Sequence, residues 1–288
     1  MQKLIFTNNR EQSIELTSSA PFLLESFNPD PAEATILTTK SPGQDGESHM
    51  ETLLEPRVLT IVIAILGNNS EDMFRKRREL NKVFNPKLTG TLQYINSAGE
   101  YSIGCIVQTV TPDEKTEPAQ EFQIQLYCPN PYWKDVQESR EEIALWMGDF
   151  EFPLEIPEGT GIEMGHRVSN LIVNIVNKGD AECGMRVEFR ALATVVNPSI
   201  LNIYTDEFIK VKRTLEAGDK LIIDTSFGNK KVRMIKTNGE DINVFNWIDL
   251  GSTFIQLEQG DNVLRYDAES GIDNLEVSIY YRPLYVGV

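Results

Sequence analysis

The chain has 288 residues, of which 41% are hydrophobic and 24% are charged, so it holds enough apolar material for two compact domains. Its formal net charge of −16 argues against a protein that wraps nucleic acid, because such binding neutralises phosphates with lysine and arginine. The three cysteines are isolated and form no CxxC, which predicts a reducing compartment and no disulfide framework.

Neither an export signal nor a membrane anchor is predicted. The first residues alternate like a short strand and lack a signal-peptide core, and the longest apolar run, residues 58–66, is too short to span a bilayer. We therefore expect no membrane contact.

The first half of the chain begins with short strand patterns. Residues 4–6 and Ser13–Leu16 are predicted to form an opening hairpin, and residues 22–24 a buried segment. Residues 41–46 combine Ser, Pro and Gly in a pattern typical of an exposed loop. Arg57–Leu66 then has the length and β-branched content of a buried strand.

One long helix is predicted after this strand. Asn69 caps its start, with Glu71 and Asp72 in the first turn, and Asn85-Pro86 ends it about four turns later. The spacing gives it one apolar and one charged face. The apolar face carries Met73, Leu80 and Phe84, with Val83 at its edge, and the charged face carries Glu71, Arg75, Arg78 and Lys82.

A hairpin is predicted directly after the helix, from residues 88–94 and 101–107. A further strand over residues 121–126 ends at Cys128-Pro129-Asn130-Pro131-Tyr132-Trp133, because proline cannot donate to a sheet ladder. We interpret Pro129 and Pro131 as a rigid inter-domain seam, which Tyr132 and Trp133 dock against one domain. The predicted division is an N-terminal domain over 1–130, a linker over 131–149 and a C-terminal β-sandwich domain over 150–288.

The second half has the pattern of an all-β domain. Residues 138–147 fit either a short helix or a linker strand, and periodicity does not decide between them. Beyond them, short strands separated by Gly- and Asn-containing turns are typical of a β-sandwich or jelly roll. These strands are predicted at residues 171–176, 185–191, 208–211, 220–224, 232–235, 254–257, 263–266 and 275–281.

Chemically reactive groups are sparse. His49 in a polar loop and His166 in a turn are both interpreted as solvated, and neither has a metal-ligand spacing to a second His or Cys. No nucleophile, zinc or nucleotide-binding motif is present, so we predict no catalytic residue, no metal and no cofactor. Because carboxylates are abundant, a catalytic pair of the glycosidase type is not excluded, and a glycoside hydrolase is the least supported of the hypotheses.

Two segments of the second half invite a binding interpretation. Residues 267–273 alternate acids with a glycine, which favours an acidic hairpin turn over a calcium loop because the full ligand set is missing. Trp247, with Phe245 and Tyr266 and beside Asp241 and Asn243, could form a platform that contacts a glycan, although aromatic residues in such positions more often belong to core or rim packing.

The basic run at residues 75–78 interrupts an acidic chain. A solvated helix face is the simpler interpretation. Arg77, however, falls near the apolar stripe of the helix, so its head must reach solvent or find a partner at the edge of that packing. Our hypothesis is that Arg75, Arg77 and Arg78 form an oligomer interface, where local positive charge offsets the repulsion between acidic copies.

Several segments together resemble the siphophage distal tail proteins, and they follow one another in the order typical of that family. In chain order they are Leu4-Ile5-Phe6-Thr7-Asn8, Pro42-Gly43-Gln44-Asp45-Gly46, Asn85-Pro86-Lys87, Gly90-Thr91-Leu92, Cys128-Pro129-Asn130-Pro131-Tyr132-Trp133, Phe150-Glu151-Phe152-Pro153-Leu154, Asn274-Leu275-Glu276-Val277, Tyr280-Tyr281 and Tyr285-Val286-Gly287-Val288. The resemblance covers nearly the whole chain.

This resemblance implies a structural component of a phage tail tip or baseplate. The N-terminal domain, a sheet with one helix and a β-hairpin, would form a homo-hexameric ring that continues the tail tube, and the C-terminal domain would be a galectin-like β-sandwich. Implied partners are further copies of itself, the tail tube protein, the tail-associated hub protein and receptor-binding proteins, with phage DNA only passing through the lumen. The protein would be made in the bacterial cytoplasm and reside in the virion. The alternative function is a carbohydrate-binding adhesion module for host cell-wall glycan.

Overall fold

A computed structural model describes residues 2–29, 32–116, 119–147, 166–169 and 171–288. The chain divides into two compact units. Unit 1 consists of Met1–Val136 together with Leu284–Val288, and unit 2 consists of Gln137–Pro283. The end of the chain therefore returns to the unit in which the chain begins.

Within the described residues, unit 1 contains one helix and a series of antiparallel strands. The strands are β1 (Lys3–Asn8), β2 (Ser13–Leu16), β3 (Phe22–Asn28), β4 (Ala34–Thr39), β5 (Ser48–Leu54), β6 (Arg57–Leu66), β7 (Thr89–Ile95), β8 (Glu100–Thr116), β9 (Ala119–Cys128) and β10 (Trp133–Asp135), and the helix is α1 (Ser70–Val83). The predicted opening hairpin, the hairpin after the helix and the strand Arg57–Leu66 are confirmed.

The main sheet of unit 1 curls around its own core. Its strand order is β2-β1-β7-β8-β9-β6-β3, and a bridge between Thr17 and Leu23 brings its two ends together. Strands alternate buried and exposed residues, as β9 does along its length, so one face of each strand points inward. Leu4, Leu59, Ile61, Ile124 and Leu126 are fully buried there.

Helix α1 begins and ends close to its predicted limits. The side chain of Asn69 accepts a hydrogen bond from the backbone N–H of Asp72 at 2.8 Å, which satisfies one free donor of the first turn. At the other end, Phe84 stacks on Phe6 of β1 with ring centroids 4.4 Å apart. Gly90 of β7 leaves room for that pair, because a Cβ there would lie 2.5 Å from the Phe6 ring. Within the described residues, no helix is long and apolar enough to cross a membrane.

Strands β4 and β5 form a separate two-stranded hairpin, which we call the arm (Ala34–Leu54). The turn-rich loop predicted at residues 41–46 lies at its tip and is exposed, apart from the partly buried Gln44. His49 was predicted in a loop but lies in β5, where its Nε2 is 2.8 Å from the hydroxyl of Thr52. Its side chain is exposed, as expected.

The division between units differs from the predicted linker over residues 131–149. Strand β10 pairs with β8 and so belongs to unit 1, whereas β11 (Ser139–Met147) pairs within a sheet of unit 2. The open choice at residues 138–147 is therefore resolved as a strand, because its backbone groups are taken up by a sheet ladder. The predicted start of the second domain, with residues 150–154, lies outside the described residues.

Unit 2 is a β-sandwich, as predicted. Its further strands are β12 (His166–Ser169), β13 (Ile172–Asn177), β14 (Cys183–Ala191), β15 (Val195–Val196), β16 (Ser199–Asn202), β17 (Phe208–Lys210), β18 (Thr214–Leu215), β19 (Lys220–Asp224), β20 (Lys231–Ile235), β21 (Asp241–Asn243), β22 (Gln256–Leu257), β23 (Gly260–Asp267) and β24 (Leu275–Tyr281). One sheet has the order β12-β11-β24-β14-β19-β20-β21 and the other β13-β23-β16-β17. Inward-facing positions alternate along the strands, as they do in β14 and β24.

His166 occupies a different environment from the predicted turn. It begins β12 and pairs with Met147 of β11. The turn prediction was wrong because β12 pairs with β11, which lies about twenty positions earlier in the chain, and local turn signals do not reveal such a pairing. Gly165 and the His166 side chain lie outside what the structure describes.

A last strand, β25 (Leu284–Tyr285), returns the chain to unit 1 by pairing with β10. The Tyr285 ring packs edge-on against Tyr101 with centroids 5.4 Å apart, and its hydroxyl donates to Asp135 at 3.2 Å. The guanidinium of Arg57, itself buried, donates to the carbonyl of Val286 at 2.7 Å. We call Leu284–Val288 the clasp.

The three cysteines are free and buried. The hydrogen bond that the Cys105 thiol donates to Cys128, together with burial, raises the pKa of Cys105, and burial raises the pKa of Cys183 to about 12. The thiols of Cys105 and Cys183 are therefore protonated at neutral pH and act as small hydrophobic side chains.

Candidate functional site

The arm exposes more apolar surface than its position in the fold requires. Ile36, Leu37, Met50 and Leu53 are between 41% and 67% exposed, and every residue of β4 is exposed. Leu37 and Leu53 share one face of the hairpin, Ile36 lies on the other, and Met50 lies at the register shift after Leu37. Because a two-stranded hairpin is at best marginally stable alone, this surface is suited to being covered by another protein.

The basic run of helix α1 has mixed roles. Lys76 and Arg75 both reach the carboxylate of Asp72, at 2.7 and 2.6 Å. Their hydrogen bonds, with that of the Asn68 backbone N–H, hold the pKa of Asp72 well below its usual value. Arg77 stands over the ring of Phe122, with its guanidinium carbon 5.9 Å from the centroid, so it finds a partner at the edge of the packing. Arg78 is exposed.

The predicted seam lies inside unit 1. Pro129 and Pro131 stand between β9 and β10, and the backbone N–H of Tyr132 donates to the Asn130 side chain at 3.0 Å. Trp133 is fully buried in the core of unit 1, with Tyr94 6.1 Å away between ring centroids. The role of this segment in fixing domain orientation stays a prediction.

The residues predicted as a possible glycan contact lie in different environments. Asp241 is held by a two-point ion pair with Arg233, and the Asn243 side chain accepts from the backbone N–H of Phe245 at 3.0 Å. Both line one surface cleft, which Trp247 does not line. The Trp247 ring is covered by the guanidinium of Arg213 at 3.8 Å, which removes one face of the expected stacking platform.

The acidic turn at residues 267–273 has its carboxylates engaged by protein groups. Glu269 accepts from Lys210 and from Asn197, and these bonds hold its pKa below the usual value. Asp267 pairs with Arg265 at 3.4 Å. In the part of the chain that the structure describes, no group of three or more His, Cys, Asp or Glu is placed to hold a metal ion.

Sequence reasoning missed both the arm and the clasp. The arm has no inward face, so the alternation that marks a half-buried strand is absent from it. A run of apolar residues in an otherwise polar segment, here Ile36-Leu37 and Leu53-Leu54, was the signal available. The clasp pairs with a three-residue strand about 150 positions earlier, and no local pattern marks such a contact.

Two family profiles match successive parts of the chain. The phage tail protein RIFT-related domain matches residues 10–128, and the C-terminal domain of the siphovirus-type tail component matches residues 178–285. Together they span most of the sequence. No curated protein sequence matches the chain.

Solved structures share this fold over the full length. The Dit protein (gp 19.1) of phage SPP1, described as a paradigm of the hub adsorption apparatus in phages that infect Gram-positive bacteria, is 12% identical, with a TM-score of 0.69 over 98% of each chain. A chain of the phage P2 baseplate in its activated conformation with Ca is 14% identical, with a TM-score of 0.58 over 100% of this chain and 99% of that one. A second P2 baseplate structure, with Sr, gives 12% identity and a TM-score of 0.57 over 100% of both chains.

The first family profile matches residues of unit 1, and the second matches mainly residues of unit 2. The structural match to the SPP1 Dit protein covers 98% of this chain. The chain therefore belongs to the siphophage distal tail protein family and is a structural component of a phage tail.

Proposed function

We propose that the protein assembles into a homo-hexameric ring at the tail tip, built by unit 1, and acts without catalysis or cofactor. The ring joins the tail tube protein to the tail-associated hub protein and carries receptor-binding proteins. The protein is made in the bacterial cytoplasm and functions in the virion. Its net charge of −16 suits a channel through which DNA passes without adhering.

The apolar arm is the observation that carries the assembly proposal. Contacts between copies of a strongly acidic chain are opposed by charge, so apolar burial must supply the attraction. The arm offers Ile36, Leu37, Met50 and Leu53 on both its faces, with no core of its own beneath them. We propose that it packs on unit 1 of a neighbouring copy.

Replacing Ile36 and Met50 together by serine is expected to convert rings into monomers while leaving the fold intact. Both side chains are more than half exposed in the single chain, so their loss costs little within it but removes apolar area from the contact. Mass photometry gives the assembly state, electron microscopy of the particles shows whether they are annular, and circular dichroism checks folding.

Leu250→Ser is the matched control, because Leu250 is fully exposed in unit 2, outside the arm. The control is expected to assemble as the parent does. If the arm variant and the parent show the same assembly state at every concentration, the arm is not the contact.

The basic helix face is proposed as the second part of the same contact. Arg75 already holds Asp72, whereas Arg78 is exposed and has no hydrogen bond or ion pair with any residue that the structure describes. We therefore expect Arg78→Glu to weaken assembly, and the loss to be smaller in high salt because exposed charge contacts are screened.

The control for this variant is Lys178→Glu, which makes the same charge change at an exposed position of unit 2. Light scattering at low and high salt compares the two. Equal behaviour of both variants would show that net charge alone matters, and would count against Arg78 as a contact residue.

A further inference from the structure

A cleft of about 360 Å³ opens on unit 2 where β20 and the edge strand β21 meet. Its lining includes Lys230, Lys231, Arg233, Asp241, Asn243 and Phe245. The volume suits one small ligand rather than a protein surface. All these residues belong to unit 2, so the cleft lies outside the ring contact proposed for unit 1.

The acceptor groups in this cleft are already satisfied by the protein. Both carboxylate oxygens of Asp241 receive hydrogen bonds from Arg233, one of them at 2.8 Å from Nε. The side-chain oxygen of Asn243 accepts from the backbone N–H of Phe245, which leaves the amide nitrogen as a donor. What the cleft still offers to a ligand is therefore mainly hydrogen-bond donors.

Two lysines supply uncompensated positive charge. Among the residues that the structure describes, no carboxylate lies within 4.0 Å of the ammonium of Lys230 or Lys231. The Lys230 ammonium is 5.2 Å from the ring centroids of both Phe227 and Phe254, which holds it in place by cation–π attraction. In a chain of net charge −16, such a pair is a local site for an anion.

A flat apolar surface lies beside these cations. Phe245 is 45% exposed, and its ring is stacked on Phe254 with centroids 5.6 Å apart, so the ring is fixed while one side remains accessible. An aromatic face next to hydrogen-bond donors suits a sugar ring, whose C–H face is apolar and whose substituents are polar.

We propose that this cleft binds a saccharide carrying an anionic group, phosphate or carboxylate. The anionic group lies between Lys230 and Lys231, where charge-assisted hydrogen bonds form with both ammonium groups. The sugar ring packs on Phe245, and the Asn243 amide donates to one of its hydroxyls. The site is independent of ring assembly, so it adds a binding activity to the structural role.

Titration of the full-length protein by NMR or calorimetry tests the proposal, with glucose 6-phosphate, glucuronate, glucose and inorganic phosphate as separate probes. At least one of the two anionic sugars is expected to bind about tenfold more tightly than glucose and than inorganic phosphate. Which one binds more tightly identifies the anionic group.

Three variants locate the site. Lys230→Gln combined with Lys231→Gln is expected to weaken the anionic sugar by about tenfold or more, and Phe245→Ala to weaken it while leaving inorganic phosphate unchanged. Lys178→Gln with Lys236→Gln removes the same charge elsewhere on unit 2 and is expected to change nothing. All variants should keep the parent assembly state, which separates this site from the ring proposal.

Other results overturn the proposal. Binding that survives the loss of Lys230 and Lys231, or no saturable binding of either anionic sugar at millimolar concentration, excludes the site. If inorganic phosphate binds as tightly as glucose 6-phosphate and Phe245→Ala has no effect, the sugar ring does not contribute to binding, and the ligand is not a saccharide. A hexaglutamate peptide that binds more tightly than both anionic sugars would assign the cleft to an acidic protein segment instead.

Discussion

Removing the clasp, residues 284–288, is expected to destabilise unit 1 by about 3 kcal/mol or more and to leave unit 2 folded. The deleted residues follow unit 2 in the chain but belong structurally to unit 1. A truncation at one end of the sequence is thus expected to loosen the unit at the other end.

The expected loss follows from the contacts of the clasp. Tyr285 and Val288 pack against the core of unit 1, and burying each side chain contributes about 1 to 3 kcal/mol. The deletion also removes the strand pairing of β25 with β10 and the Val286 carbonyl that accepts from the buried Arg57. A buried guanidinium that loses an acceptor adds to the cost.

Hydrogen exchange followed by mass spectrometry measures this separately for the two units. Faster exchange is expected in β8 and β10, which lie next to the clasp, and unchanged exchange in β14 and β24 of unit 2. Tyr285→Phe is the matched control, since it removes only the hydroxyl that donates to Asp135 and keeps the ring against Tyr101. Unchanged exchange throughout unit 1 in the truncated chain would show that the clasp does not stabilise it.

The parts of the fold that depend on local chemistry were predictable. Asn69 caps α1 as expected, and Arg57–Leu66, Lys220–Asp224 and Leu275–Tyr281 are strands with the predicted limits. In each case the signal lies within the segment itself, as a capping residue or as β-branched and alternating residues. The strand Ser199–Asn202 was missed because its apolar residues, Ile200 and Leu201, are adjacent and do not alternate with polar ones.

The candidate sites depend on contacts between distant residues, and sequence patterns do not contain those. Trp247 was expected to offer an open ring, but Arg213, more than thirty residues earlier, covers it. The cleft on unit 2 is formed where β20 and β21 pair, which places Asn243 opposite Arg233. Asp241 and Asn243 line this cleft together with Phe245, whereas Trp247 does not.

Trp133→Ala is expected to destabilise unit 1 by about 3 to 5 kcal/mol, the usual range for a fully buried large aromatic side chain. Trp133 has no exposed surface and lies near Phe27 and Tyr94, with ring centroids 6.5 and 6.1 Å away. Collapse of the surrounding strands onto the vacated volume is limited, because β10 is held between β8 and β25.

Trp133→Phe is expected to cost much less, about 1 to 2 kcal/mol. Its ring still fills most of the space, and the indole N–H that it removes has no hydrogen-bond partner among the described residues, so no bond is lost. Tyr132→Ala is the second control, because Tyr132 is adjacent in sequence but only partly buried.

Urea unfolding followed by circular dichroism gives the free energies of the three variants, and hydrogen exchange assigns the loss to a unit. Because Trp133 is buried, Trp133→Ala is expected to lower the free energy of unfolding most. Trp133→Phe and Tyr132→Ala are expected to lower it less, and the change should be confined to unit 1. If Trp133→Ala were instead nearly neutral for stability, the burial of this side chain would not stabilise unit 1, and the predicted docking of the Pro129–Pro131 seam through Trp133 would lose its support.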